Sequence, residues 1–117
     1  NHFGTCSIEV LTTLNVSREE WLAFMQEVTT AWDSYTDPAG NPLNVRPHWA
    51  KQWQNLVFRG MSVNDYLKTV AYKDRIPEFK ARLQEIAQAG GYTLADLQRT
   101  FSNPLLDDVF ELVPRPV

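Results

Sequence analysis

Ser17-Arg18-Glu19-Glu20, followed by Trp21, Phe24, Met25, Val28, Ala31, Trp32 and Tyr35, constrains the fold of this chain more than any other stretch. Ser three residues before Glu fits a capping box, in which each side chain satisfies a backbone N–H of the other's residue, and Val16 can staple onto Trp21. The spacing that follows lays the large apolar residues along one stripe of a helix running to about Thr36. A stripe that rich in aromatics needs a second layer to cover it, which makes it core packing on a sheet rather than a ligand box. Upstream, Cys6 to Leu14 alternates and is rich in β-branched residues, so it reads as a strand with Cys6, Ile8, Val10, Thr12 and Leu14 on one face. Glu9 falls on the other face and reads as solvent-side, with a substrate-facing carboxylate as the alternative. Asp37-Pro38-Ala39-Gly40-Asn41-Pro42 supplies turn residues, and Leu43–Val45 reads as a short second strand. This order implies an α+β fold in which helices cover a mostly antiparallel sheet.

The second half reads as helical. Ser62 starts a helix to Tyr72 through a Ser-x-x-Asp pattern. Another begins at Asp74 or Arg75, with Pro77 tolerated in its first turn and Gly90-Gly91 as its stop. Ile76, Phe79, Leu83 and Ile86 form its apolar stripe, and Glu78, Lys80, Arg82 and Glu85 its solvated face. Thr93-Leu94-Ala95-Asp96 caps a last short helix that Asn103-Pro104 stops, and the tail from Leu105 reads as an extended arm laid over another surface. The chain thus divides into residues 1–61, which carry the strands, and residues 62–117, a helical tail.

Composition excludes several functions. With 11 basic against 14 acidic residues and a net charge of −3, the chain lacks the basic face of a nucleic-acid binder. No apolar run approaches the ~20 residues needed to span a bilayer. The single Cys6 allows no internal disulfide and no multi-cysteine zinc site, and reads as a buried small residue or a thiol for another chain. His2 and His48 are too far apart in sequence for a metal motif, and no nucleophile elbow or phosphate-cradling loop is present. Asn15-Val16-Ser17 is a glycosylation sequon in a turn, making Asn15 the acceptor. The chain opens on Asn1-His2-Phe3 and carries four Trp and six Phe. We read this aromatic load as an interaction surface, and the chain as the carboxy-terminal piece of a larger polypeptide, still docked to the rest.

The segment that reads as chemistry is Arg46-Pro47-His48-Trp49-Ala50-Lys51-Gln52-Trp53. It gathers two cations, an imidazole and two indoles, and Pro47 sets its direction. Arg-Pro-His-Trp-Ala-Lys resembles the His-Trp-x-Lys signature of the aldonolactone oxidases and dehydrogenases, FAD flavoproteins of the vanillyl-alcohol-oxidase type. Phe101-Ser102-Asn103 is similar to the family's closing Phe-x-Asn element.

This resemblance implies an FAD-dependent oxidase of sugar-derived lactones, in which a carbinol is oxidised, a hydride passes to the flavin and molecular oxygen reoxidises it to give hydrogen peroxide. It assigns Lys51 to the edge of the flavin, where an ammonium stabilises the charge of the reduced ring. His48 would orient the substrate hydroxyl or take its proton, Trp49 would wall the cofactor site, and Arg46 would contact cofactor or substrate. The FAD-binding domain would belong to a larger partner chain. Residues 1–61 would then be the end of a cap domain, and residues 62–117 would pack on the FAD domain of a secreted, processed glycoprotein. The rival reading is a non-enzymatic α+β module whose aromatics bind protein or carbohydrate.

Overall fold

The computed structural model describes residues 6–101 and 103–110. Helix α1 spans Arg18–Asp33, a hairpin pairs β1 (Val57–Phe58) with β2 (Met61–Ser62), and α2 (Val63–Tyr66) runs straight into a π-helical turn over Leu67–Ala71. Three more helices follow: α3 (Arg75–Ala89), α4 (Leu94–Phe101) and α5 (Pro104–Val109). The protein is therefore a small α+β domain, with five α-helices and a two-stranded antiparallel sheet among the described residues.

Local rules hold wherever partners lie close in sequence. Ser17 and Glu20 form the reciprocal capping box, with Ser17 N–H donating to the Glu20 carboxylate at 3.0 Å and Glu20 N–H to Ser17 Oγ at 3.2 Å. Ser62 accepts from Asp65 N–H at 3.2 Å at the start of α2, and Thr93 does the same for Asp96 ahead of α4. The hairpin turns on Arg59 and Gly60, both at positive φ (52° and 79°), the pair of left-handed conformations that a tight two-residue hairpin loop requires.

The sheet is much smaller than the alternation suggests. Residues 6–13 are an extended arm without a ladder, because alternation supplies a pleated surface but no neighbouring strand to bond to. Its Ile8 and Leu11 side chains stay largely in solvent, 62% and 78% exposed, Val10 is half-buried, and Cys6 is exposed rather than buried. Leu43–Val45 is not a strand either. A single bridge joins Thr36 to Pro42, and Asn44 at φ 52° breaks the extension. Helix α1 ends at Asp33, where Ser34 Oγ donates to the Ala31 carbonyl at 2.6 Å, so Tyr35 lies beyond it.

Asn103-Pro104 also does more than end a helix. Asn103 Oδ1 accepts from Leu106 N–H at 2.9 Å and Pro104 occupies the first turn, so these residues open α5 where an extended arm was expected. The proline-rich end of that arm, residues 111–117, lies outside the described residues.

The core joins both halves of the chain. Trp53, Leu56 and Phe58 pack with Val63, Tyr66, Leu67, Ala71, Ile76 and Val109. Phe58 stacks on Tyr66 with ring centroids 4.4 Å apart. Helix α1 contributes no fully buried residue, and its stripe does not cover a sheet as its periodicity suggests. A side-chain clamp holds the helix instead: the Gln26 amide donates to the Val57 carbonyl and accepts from Val57 N–H, each at 2.7 Å, standing in for a missing strand on the free edge of β1. Asp33 adds a paired contact to Arg59, both guanidinium bonds at 2.8 Å. That bond, ahead of the cost of burial, raises the proton affinity of Arg59.

Candidate functional site

The segment from Val45 to Trp53 has no regular secondary structure, yet it is fixed at four points. Tyr66 Oη donates to the Val45 carbonyl at 2.9 Å, and burial first, then the Asp33 charge, raises the proton affinity of this phenol. The Arg46 guanidinium donates to the Ala71 carbonyl at 2.7 Å and lies 4.4 Å over the Tyr72 ring. A cation suits that place, because the unpaired carbonyls at a helix end carry partial negative charge. Trp49 stacks on Phe110 at 5.5 Å and meets Trp53 edge-on at the same distance. Trp53 is 1% exposed, at the bottom of the core. These anchors convert an irregular stretch into a rigid platform.

Between anchors the chain turns sharply. Lys51 N–H donates to the His48 carbonyl at 3.0 Å, and Ala50 N–H donates to His48 Nδ1 at 3.1 Å. The second bond engages Nδ1 and leaves Nε2 as the ring nitrogen free for another partner. Lys51 projects from the turn with its side chain 61% exposed, its ammonium 3.1 Å from the Glu9 carboxylate.

Above the platform is a cavity of about 620 Å³. Its walls are the stripe of α1 (Trp21, Met25, Val28 and Trp32), residues 7–12 of the arm, and the polar edge of the platform. That volume lies within the range of small-molecule sites, which pair apolar walls with a few convergent polar groups. The half-covered stripe of α1, which its spacing marks as core, is thus the apolar wall of an open chamber.

Of the residues singled out in the sequence, Arg46, His48 and Lys51 line this cavity together, whereas Trp49 is absent from the lining and belongs to the aromatic cluster with Tyr72 and Phe110. Asn15 lies in an exposed turn just ahead of α1, open to a glycan. Glu9 is the residue that sequence reasoning undervalued. Its neighbour Lys51 lies far along the chain, and no local pattern marks such a pair. Among the described residues no cluster of His, Cys, Asp or Glu has the makings of a metal site, and no helix is long and apolar enough to cross a membrane.

Fold and site together define the class: a small α+β domain with an anchored, cation-bearing loop at the mouth of an aromatic-walled cavity. Comparison with family models, curated proteins and solved structures returns no match to the chain.

Proposed function

We propose that the chain is the carboxy-terminal part of a secreted FAD-dependent oxidase of sugar-derived aldonolactones, completed by a larger chain that carries the FAD-binding domain. The observation that carries this reading is the convergence of Arg46, His48 and Lys51 of the Arg-Pro-His-Trp-Ala-Lys run on one cavity wall. The donor set fits one edge of a flavin. Its ammonium stands on a turn fixed from below, and a positive charge is the chemistry required next to a ring that gains negative charge. FAD, when bound, accepts the hydride from the substrate carbon, and molecular oxygen then takes the electrons as hydrogen peroxide.

The chain's own residues supply placement and charge. Lys51 holds a positive charge at the flavin edge, and a partner surface that excludes water strengthens it. His48, through Nε2, orients the hydroxyl of the substrate carbinol or takes its proton as the hydride leaves the carbon. Arg46 is engaged with Ala71 and Tyr72 and acts mainly by fixing the platform, with its edge toward the cavity open to a lactone oxygen. Trp21 and Trp32 offer flat apolar walls to the C–H faces of a sugar ring. Trp49 supports the wall from behind.

The test is purification from the secreted fraction without denaturant. A larger chain that co-elutes and carries a flavin absorption band supports the reading. A colourless protein that elutes alone overturns it. In that case the exposed apolar arm, with Ile8 and Leu11 in solvent, favours the second reading, a protein- or carbohydrate-interaction module.

A further inference from the structure

We infer that Glu9 is a positioning residue for Lys51, and that this ion pair straps the arm, residues 6–13, across the mouth of the cavity. The consequence for catalysis rests on the oxidase reading above, whereas the strap does not.

Few polar bonds hold the arm. Among the described residues, no backbone hydrogen bond ties residues 6–12 to another element, and the hydroxyl of Thr12 donates only to the neighbouring Thr13 carbonyl. Yet residues 7–12 form one wall of the cavity. The polar tie that spans from this wall to the platform is Glu9 Oε1 to Lys51 Nζ, at 3.1 Å.

The pair joins unequal partners. Lys51 stands on a turn braced by the His48 carbonyl, while Glu9 stands on a segment with no ladder, so the platform holds the arm in place. In return, the carboxylate restricts a four-carbon side chain that is 61% exposed and would otherwise sample many rotamers. Glu9 thereby keeps the ammonium over the cavity mouth, without touching the reacting atoms itself. Both groups stay partly in water, so the pair can part to admit a ligand and close behind it. An exposed ion pair of this kind biases such an equilibrium by a few-fold rather than locking it.

Cys6 is the chain's single cysteine, is exposed and lies on the arm, so a spin label there reports the strap in the otherwise native protein. Glu9→Gln is expected to increase the mobile fraction of the label about two- to five-fold. The charge-swapped double variant Glu9→Lys with Lys51→Glu should return it to the native level. In the flavin-bearing complex, Glu9→Gln should slow flavin reduction by about two- to five-fold through lost placement of the ammonium. Glu9→Asp should recover part of that loss, and the swapped pair none of it. Label mobility unchanged in Glu9→Gln overturns the strap, and unchanged flavin reduction overturns the positioning role. Wild-type reduction in Lys51→Met overturns the oxidase reading instead, and leaves the label to decide the strap.

Discussion

Replacing Trp53 with Ala separates an anchored platform from a loop that merely rests on the surface. Trp53 is 1% exposed, belongs to the core cluster and also meets the Trp49 ring edge-on. Truncating a buried Trp costs about 3–5 kcal/mol, from lost apolar burial and from the void left behind. Here the void opens into a cavity of about 620 Å³ that Trp53 itself lines, so water can fill part of it. The cost should therefore fall near the lower bound, about 3 kcal/mol. Against a total stability of about 5–15 kcal/mol this is a large share. With a urea dependence of roughly 1.5 kcal/mol per molar, the unfolding midpoint should fall by about 2 M. Phe24→Ala is the control: Phe24 is 47% exposed on α1, and its loss should cost under about 1 kcal/mol. Urea unfolding followed by far-UV circular dichroism measures both. A midpoint shift for Trp53→Ala no larger than that of the control would refute the anchoring argument.

Other outcomes follow from neighbouring contacts. The Asp33–Arg59 pair, with the Asp33 side chain 8% exposed, should show a coupling energy of about 1–3 kcal/mol in a double-mutant cycle, and near-zero coupling would reduce it to surface decoration. Asp108 is held below the usual carboxylate range by Lys68 first and Asn64 second. The stability it contributes is therefore present above the unfolded value of about 3.9 and lost as pH falls through the lower folded one. With the Asp108 side chain half-exposed, the pair should contribute no more than about 1 kcal/mol, and Asp108→Asn should flatten this part of the acid limb in a stability-versus-pH series. At Ser17, Ala should remove the sequon and the helix cap together, at about 1 kcal/mol, whereas Asn15→Gln removes only the sequon. A glycan-sensitive mass shift lost in both variants, with destabilisation in Ser17→Ala alone, is the expected pattern.

What could be read from the sequence was local. The caps at Ser17, Ser62 and Thr93 each depend on a partner three residues away, and each is present. The order strand–helix–strand failed because Cys6–Leu14 has the pattern of a strand without a neighbour to pair with. Asn103-Pro104 misled for a different reason: the residues that forbid one helix from continuing also favour the start of the next. The hairpin at Arg59-Gly60 joins strands of two residues each, too short for any periodicity to register. For the site, Arg46, His48 and Lys51 stood out because they fall within six consecutive residues. The bonds that hold them, from Arg46 to Ala71, from Tyr66 to Val45 and from Glu9 to Lys51, join distant parts of the chain and leave no local trace.

Stopped-flow reduction of the flavin-bearing complex by an aldonolactone, comparing wild type with Lys51→Ala and Lys51→Arg, tests the central claim most directly. Removing the ammonium should slow reduction at least about 10²-fold, with Arg restoring part of it because the charge returns in a different shape. Reduction by Lys51→Ala at the wild-type rate, with the unfolding midpoint unchanged, would contradict it.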